Sequence, residues 1–424
     1  MKIDISLTKN PYRAIVRKHV KGYYRNGYIN YYEVRDLSES IDDFLAEAQD
    51  SIDQGDIASA FNMFTAVLEV LPGIFDSSDD SYGYLSSCTN YTIDLFNKLM
   101  EFKENESFRR KFYSYLIKTY TSNKLGSWNW DFSILENAVE LLKTEKEISI
   151  FKELLNSMLT DKKSLHHNPE RAQLLMYKLI YRTEDRGSAL NYLKKNLANP
   201  DIRELLVQEY ITNKNYEEAL KVAQEGLLTD TYSTYDEKWK TYMLEVYENQ
   251  SDIENVVLML KYFIIHGSPY SNQYSVEIYY DKLKEWSPVE SWQTNFDELE
   301  KGLAPRENMD NQNYEKLVAL YILEGYFDKL FQLLSMNLNI NRITDLETDL
   351  RDLNPEEYAR LYAKAIFIYV TEKVGRYHYQ EACRYLRKLK KIGGIELTNQ
   401  TITQLQTTFK NRPALMQELA KLSK

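Results

Sequence analysis

The stretch YITNKNYEEALKVAQEGL, residues 210–227, contains the pattern that decides the fold. One helical run ends near Tyr210, the polar residues 213–215 form a break, and a second helical run follows with Ala219 near its start. A small residue such as alanine lets two helices approach to the roughly 8–10 Å separation of packed helices. Asparagine in the break tolerates the left-handed backbone that often ends a helix. The stretch therefore predicts two antiparallel helices joined by a short turn.

The pattern recurs with a spacing of 37 residues. Positions 219, 256, 293 and 330 correspond, and each has an apolar residue thirteen positions earlier. These apolar residues are Leu206, Met243, Tyr280 and Leu317. The third copy is the weakest, because Lys284 and Gln293 stand where the first copy has Tyr210 and Ala219. A regular period of roughly 20–50 residues is typical of solenoids. We therefore predict an all-α chain, built as an α-solenoid of antiparallel helix pairs.

Three segments resemble tetratricopeptide repeats (TPRs): DQGDIASAF at 53–61, NKNYEEALKVA at 213–223 and LEGYFDKLF at 323–331. The spacing of 37 residues differs from the usual TPR period of about 34 residues. The Trp-Leu-Gly part of the family signature is also missing. The resemblance implies a TPR-like superhelix. We assign residues 166–424 to this repeat region, which ends in basic helices, and residues 1–165 to an N-terminal helical region.

The N-terminal part is similar to the helical region that follows the zinc finger in bacterial SWIM zinc-finger proteins. The similarity rests on a Pro-Tyr-Arg start at Pro11–Arg13, a Gly-Tyr-Ile-x-Tyr bend at Gly27–Tyr31 and an Asp-Asp-Ser-x-Gly turn at Asp79–Gly83. The ending NRPALMQELAKL, residues 411–422, also looks like the last helix of that family. The Cys-x-Cys and Cys-x-His pattern of the finger itself is absent. The resemblance implies a bacterial helical-repeat protein. It is either the separate helical part of a SWIM protein or a homologue that has lost the zinc finger.

Composition favours a folded helical protein. Apolar residues make up 43% of the 424 residues, whereas glycine (14) and proline (9) are scarce, which disfavours turn-rich β structure. The 35 tyrosines suit helices that are buried on one face, with stacking on nucleic-acid bases as the alternative. The sequence contains neither an N-terminal signal pattern nor a run of 18 apolar residues. We therefore expect a cytoplasmic protein.

No enzyme motif is present in the sequence. The glycines of GYYRNG, residues 22–27, have the spacing of a phosphate-binding loop, but Tyr28 and Ile29 replace its Lys and Ser/Thr. Cys88 and Cys383 are too far apart in sequence to form a CxxC zinc site. We interpret both cysteines as small core residues. An enzyme whose pocket forms from dispersed residues is the most remote of the alternatives.

Two polar stretches match metal sites only in part. His166 and His167 point in different directions on a helix and precede Asn168-Pro169, which favours a link between helices. In DSSDDSYGYLSS, residues 76–87, acidic residues alternate as in a calcium-binding loop, but serines replace the glycine and the glutamate that such a loop needs. We interpret this loop as the cap of a helix that starts near Tyr84. We expect no catalytic residue, metal or cofactor.

Two surfaces are candidates for partner binding. By analogy with TPR proteins, the concave side would be lined by polar residues of the first helices: Asp201, Glu204, Gln208, Lys238, Thr241, Glu245, Gln312 and Glu315. The alternative is a basic cluster near the C-terminus: Arg384, Arg387, Lys388 and Lys391. Seven Lys/Arg against one Asp give residues 1–25 a net charge of +6, and ten Lys/Arg against three Glu give residues 376–424 a net charge of +7. Basic terminal segments either bind a partner or pair with acidic helices of the same protein.

These observations favour a non-enzymatic scaffold or adaptor that binds a protein or peptide on its concave surface, since stacked helix pairs form curved walls. The more acidic groove residues favour a partner segment that contains lysine or arginine. The alternative is an accessory protein that contacts nucleic acid through its basic N- and C-terminal helices, by phosphate contacts without sequence readout. No membrane contact is expected.

Overall fold

A computed structural model describes residues 10–122, 125, 130–160, 168–230, 233–267, 276–304, 311–336 and 338–422. Within these residues the chain is helical and contains no β-strand, only isolated bridges such as that between Ile29 and Ser78. The predicted all-α class is therefore confirmed. Contacts divide the chain into two compact units, Met1–Asp230 (unit 1) and Thr231–Lys424 (unit 2). The predicted division after residue 165 falls outside the described residues and stays a prediction.

Unit 1 contains the first eleven α-helices. They are α1 (Arg13–Tyr23), α2 (Tyr31–Asp53), α3 (Ile57–Val70), α4 (Tyr84–Leu99), α5 (Glu106–Thr121), α6 (Trp130–Glu140), α7 (Glu145–Thr160), α8 (Pro169–Thr183), α9 (Arg186–Lys195), α10 (Pro200–Thr212) and α11 (Tyr216–Thr229). Two 3-10 helices, Leu71–Ser77 and Met100–Phe102, extend α3 and α4. Several helices have a capping side chain at the N-terminus. The side chains of Asn30, Asp56 and Asn168 accept backbone N–H groups in the first turns of α2, α3 and α8.

Unit 2 contains the remaining helices. They are α12 (Ser233–Gln250), α13 (Ile253–His266), α14 (Val276–Trp286), α15 (Trp292–Leu303), α16 (Asn311–Glu324), α17 (Phe327–Met336), α18 (Ile340–Asp345), α19 (Glu347–Leu353), α20 (Pro355–Glu372), α21 (Arg376–Thr408) and α22 (Pro413–Ala420). A short 3-10 helix, Val289–Ser291, precedes α15. Helix α13 contacts α12, α14, α15 and α16, and α14 and α15 each contact α16.

Four helix-to-helix turns share one backbone geometry. Each has a left-handed residue five positions before a fully buried residue of the second helix. The left-handed residues are Gly55, Lys214, Ser251 and Gly325, with φ of 81°, 60°, 55° and 75°, and the buried residues are Ala60, Ala219, Val256 and Leu330. In the turn after α10, Asn215 N–H donates to the carbonyl of Tyr210 (2.8 Å) and Lys214 N–H to that of Ile211 (2.9 Å). This is the Schellman arrangement, which satisfies carbonyls at the end of the first helix.

The third copy of the 37-residue pattern departs from this geometry. Pro288 stands at the left-handed position and has φ of −54°, because its ring excludes positive φ. The connection is therefore longer, and α15 begins only at Trp292. Gln293 is exposed, and Phe296 occupies the core instead. The weakness seen in the sequence of this copy thus corresponds to a different turn.

Unit 1 has a core rich in aromatic side chains, with edge-to-face contacts between Phe61 and Phe112 (5.4 Å between ring centroids) and between Phe96 and Phe112 (5.2 Å). Among the described residues, one stretch, Ile57–Ser77, is long and apolar enough to cross a membrane by length and composition. About 67% of its most apolar window is buried inside the protein. Helix α3, which forms most of the stretch, lies in this core, and burial there accounts for its apolar composition.

Helix α21 is interrupted at Gly394, whose φ of 80° and ψ of 177° lie outside the helical region. A side chain at the neighbouring Gly393 would place its Cβ 2.8 Å from the Cβ of Ala359, so the lack of a side chain at Gly393 allows close contact with α20. The interruption separates the basic part of α21 from a polar part rich in threonine and glutamine.

Candidate interaction surfaces

The predicted groove residues of unit 1 lie on α10. Gln208 is exposed, whereas Asp201 and Glu204 are half-buried. The buried side of the same helix carries Leu206, at 1% exposure, and Tyr210, at 8%. The 3.6-residue helical period therefore separates these polar positions from the packed ones, and their role in a groove stays a prediction.

The predicted groove residues of unit 2 lie on α12 and α16. Glu245 is exposed, while Lys238 and Thr241 are half-buried. Glu315 is exposed and accepts a 3.1 Å bond from Nε of Arg342, which neutralises part of its charge. Gln312 belongs to α16, and its side chain falls outside the described part of the chain. The repeat also places Ile278 of α14 in the register of Thr241 and Glu315, and Ile278 is 52% exposed.

The predicted basic cluster lies on the first part of α21, before Gly394. Arg384, Arg387 and Lys391 are exposed, and Arg384 forms a 3.1 Å ion pair with Glu381. Lys388 differs, because it is half-buried, paired with Glu347 and placed 5.6 Å from the ring centre of Tyr362. Lys388 thus connects α21 to its neighbours rather than extending the exposed basic surface.

Both cysteines are buried, as predicted. Burial, together with the nearby carboxylate of Asp42, raises the pKa of the Cys88 thiol far above its usual range. Burial also raises the pKa of Cys383 to about 11. A thiol that stays protonated at neutral pH is a poor nucleophile, so neither cysteine has the properties of a catalytic residue.

The acidic loop caps a helix, as predicted. The carboxylate of Asp80 accepts the backbone N–H groups of Leu85 (2.8 Å) and Ser86 (3.0 Å), and α4 begins at Tyr84. Among the described residues, no group of three or more His, Cys, Asp or Glu could hold a metal ion. The predicted link at His166 and His167 lies outside the described residues.

The GYYRNG segment forms a turn. Asn26 and Gly27 have φ of 54° and 83°, and Arg25 and Tyr28 exchange backbone hydrogen bonds of 2.9 and 3.1 Å. Two successive residues with positive φ between bonded neighbours are characteristic of a type I′ turn. The segment therefore lacks the loop-to-helix geometry that binds phosphate at a helix N-terminus.

A cluster of perturbed ionisable groups connects three helices of unit 2. The carboxylate of Glu324 on α16 accepts bonds from Trp292 Nε1 (2.8 Å), from Lys284 Nζ (3.1 Å) and from the hydroxyl of Tyr280. Burial and the bond to Glu324 raise the pKa of Tyr280. These groups bond to one another across α14, α15 and α16, which is the arrangement of a packing contact between repeats.

Sequence reasoning missed a cluster of tyrosines on unit 1. Tyr31 and Tyr32 begin α2, Tyr84 begins α4, and Tyr82 lies just before α4. We call these four residues the tyrosine cluster. The ring centroid of Tyr31 lies 5.1 Å from that of Tyr32, 5.0 Å from that of Tyr82 and 6.2 Å from that of Tyr84. Tyr32 and Tyr82 are 71% and 74% exposed, which is unusual for rings of this size.

Backbone bonds bring together the two loops that carry the tyrosine cluster. Ile29 N–H donates to the carbonyl of Ser77 (3.0 Å), and Asp79 N–H donates to the carbonyl of Ile29 (2.9 Å). The loops therefore contact through two of the segments on which the resemblance to SWIM proteins rests, Gly27–Tyr31 and Asp79–Gly83. The abundance of tyrosine was the only sequence signal of this surface.

Comparison with known proteins adds no family assignment, because neither the protein-family models nor the curated proteins give a match to this sequence.

Proposed function

We propose that the protein is a non-enzymatic helical-repeat scaffold, a TPR-like α-solenoid that binds a protein or peptide through the exposed side of its first helices. The observation that carries the proposal is the repeated turn, with left-handed residues at 214, 251 and 325 and buried residues five positions later. A turn that recurs with the same backbone angles is what a series of similar helix pairs would contain, and in such a series equivalent helix positions share a surface. Residues 241, 278 and 315 are such positions, and none of them is buried.

The partner that we propose is a segment containing lysine or arginine next to an apolar side chain. Glu245 and Glu315 supply negative charge on the first helices of unit 2, and Ile278, in the register of Thr241 and Glu315, supplies an exposed apolar contact. Complementary charges at an interface contribute mainly to specificity and association rate, and a desolvated apolar residue contributes more of the affinity. The proposal includes a cytoplasmic location, no cofactor and descent from the helical part of a SWIM-type protein.

The test is partner capture with a charge-reversed variant. The double variant Glu245→Lys/Glu315→Lys changes the first helices, and the matched control Glu254→Lys/Asp328→Lys changes exposed acids of the second helices α13 and α17. We expect cross-linking and mass spectrometry to recover a partner with the wild-type protein and the control but not with the first variant. Specific partners that bind all three proteins equally would contradict the assignment of this surface.

The second candidate is nucleic-acid binding through the exposed residues Arg384, Arg387 and Lys391, which lie on one stretch of α21. Such contacts to phosphates weaken steeply as salt rises. Titration of duplex and single-stranded oligonucleotides at two salt concentrations tests this candidate, with Arg387→Glu/Lys391→Glu as the variant. Lys388 is a poor choice for the test, because its change would also break the pair with Glu347. Binding that is absent at low salt, or unaffected by the variant, would exclude it.

A further inference from the structure

We propose that the tyrosine cluster of unit 1 binds a proline-rich segment of a partner in the polyproline II conformation. The inference concerns unit 1 alone and is independent of the surface proposed on the first helices of unit 2. It rests on the geometry of the four rings, on the bonds that fix their backbone and on the charges around them.

The backbone that carries the rings is fixed by hydrogen bonds and capped helix starts. Asn30 caps α2 by accepting the N–H groups of Tyr32 (3.1 Å) and Glu33 (3.2 Å), while Glu33 bonds back to the N–H of Asn30 (3.3 Å). Asp80 caps α4 in a similar way. Tyr31 and Tyr84 are thus the first residues of two fixed helices. A surface that is ordered before binding loses less conformational entropy when a ligand arrives.

The rings present both faces and edges. Tyr82 and Tyr84 are nearly parallel, with an interplanar angle of 17° and centroids 6.3 Å apart. Tyr31 meets Tyr32 edge to face, at an interplanar angle of 72°. Pyrrolidine rings of a polyproline II helix pack against aromatic side chains in this kind of ridged surface. Tyrosine also supplies a polar hydroxyl at the edge of each ring.

Charges near the cluster favour a neutral ligand. Arg25 pairs with Glu33 at 3.1 Å, and Arg35 pairs with Asp36 at 3.5 Å and with Glu39 at 3.8 Å. The carboxylates beside these cations lower the local positive charge, whereas a site for nucleic acid favours a net excess of cations.

The nearby carboxylates are also occupied. Asp80 accepts three bonds from Leu85 and Ser86, and Asp79 accepts the N–H of Ser81 at 3.3 Å. They are engaged in shaping the loop and are poorly placed to bond the hydroxyls of a carbohydrate. A proline-rich segment suits the remaining groups, because proline offers an apolar ring and a carbonyl acceptor but has no N–H donor.

The experiment measures binding of a fluorescent polyproline peptide to the full chain by anisotropy. A peptide of about ten prolines spans about 31 Å at about 3.1 Å per residue, which is long enough to cross the cluster. A Gly-Ser peptide of the same length, a single-stranded oligonucleotide and a neutral oligosaccharide serve as competing ligand classes. We expect saturable binding of the polyproline peptide only.

Three double variants connect the binding to the cluster. Tyr32→Ala/Tyr82→Ala removes the two most exposed rings of the cluster, and it should weaken binding about tenfold or more, as expected for aromatic hot spots. The matched control Tyr181→Ala/Tyr377→Ala removes tyrosines that are 59% and 68% exposed elsewhere, and it should leave binding unchanged. Tyr32→Phe/Tyr82→Phe keeps the rings, so it should lose less affinity than the alanine variant.

No saturable binding of polyproline by the wild-type chain would overturn the proposal. Equal loss in the cluster variant and the control variant would also overturn it, as would tighter binding of the oligonucleotide or the oligosaccharide. Circular dichroism of each variant confirms that the helices are intact, and these side chains are exposed, so their removal leaves the core unchanged. The surface variants on α12 and α16 should bind the peptide like the wild-type chain.

Discussion

At the scale of single residues, the small or apolar side chain at the start of each second helix controls how closely a pair packs. Ala60, Ala219, Val256 and Leu330 are all inaccessible to solvent. Protein interiors are close-packed, so added volume at such a site displaces its neighbours. The side chain at this position therefore affects the contact between two helices more than it affects either helix alone.

We expect Ala219→Leu to lower the free energy of unfolding of unit 1 by about 1–3 kcal/mol, because the larger side chain overpacks the contact between α10 and α11. Urea unfolding followed by circular dichroism measures the change. Ala46→Leu is the matched control, since Ala46 is exposed on α2 and its change should stay within about 0.5 kcal/mol. An unaltered unfolding midpoint for Ala219→Leu would show that the position tolerates bulk.

The two buried thiols give a second test at this scale. Because burial raises the pKa of both Cys88 and Cys383, the reactive thiolate is scarce at pH values near 8. We expect neither thiol to react promptly with a coloured disulfide reagent in the native protein and both to react after denaturation. Fast labelling of a native cysteine, located by mass spectrometry, would place that cysteine at an accessible site.

At the scale of elements, the turn decides where the second helix begins. Lys214 and Ser251 adopt left-handed backbone angles without being glycine, which costs roughly 1–2 kcal/mol for most residues. Gly325 adopts the same conformation without that cost. The register of the repeats therefore depends on backbone angles as much as on the burial of side chains.

We expect Lys214→Gly and Ser251→Gly each to raise the free energy of unfolding, by up to about 1 kcal/mol, because strain is relieved at the turn. Gly325→Ala should lower it by a similar amount. Pro288→Gly is the control at the equivalent position of the third copy, and it should not stabilise, because Pro288 has φ of −54° and glycine adds freedom to the unfolded chain. Thermal unfolding of the four variants gives the comparison, and stabilisation by Pro288→Gly would contradict the different turn geometry of the third copy.

A buried ion pair connects α5 and α7 and makes unit 1 sensitive to acid. The guanidinium of Arg109, 3% exposed, donates to both oxygens of Glu147 at 3.0 and 2.9 Å and also pairs with Glu106 at 2.9 Å. Burial by itself would raise the pKa of Glu147, but the bonds from Arg109 and from the N–H groups of Thr144 and Lys143 lower it. The bonds from Arg109 and Arg110 lower the pKa of Glu106 to about 2.

A carboxylate whose pKa is lowered by folding stabilises the folded state at pH values above its ordinary pKa, near 4.5 for glutamate. This stabilisation is lost as the pH falls through the pKa of the carboxylate in the folded protein. We expect Glu147→Gln to cost about 1.5–3 kcal/mol at pH 7, where it removes a charged hydrogen bond to Arg109. The difference between variant and wild type should shrink steadily below pH 4.5. Urea unfolding at several pH values measures it, and a cost that does not depend on pH would rule out this role for the charge.

The helices and the repeated turns could be predicted from the sequence because they depend on local patterns. Ala219, Val256 and Leu330, which the 37-residue period predicted to be packed, are buried, whereas Gln293 at the third position is exposed. The tyrosine cluster could not be predicted, since it depends on the contact of Ile29 with Ser77 and Asp79, which no local pattern encodes. The ion pair between Lys388 and Glu347 could not be predicted either, because the two residues are far apart in the sequence.

At the scale of the whole molecule, the apolar core of unit 1 extends along the chain as far as α8. The core cluster that begins at Val16 includes Ala172, Leu175 and Leu179. Helix α8 also contacts α6, α7 and α10. Leu175 and Leu179 thus belong to the same apolar core as the helices before residue 161, and the division after Asp230 keeps this core in one unit.

We expect a fragment of residues 1–230 to unfold in one cooperative transition and a fragment of residues 231–424 to do the same, because each retains its own contacts. A fragment of residues 1–165 should be less stable and should bind a hydrophobic dye, since the surface that packs against Leu175 and Leu179 becomes exposed. Calorimetry and dye fluorescence of the three fragments make the comparison. If the 1–165 fragment matched the stability of the 1–230 fragment, the packing of α8 would be dispensable and the boundary near residue 165 would be the correct one.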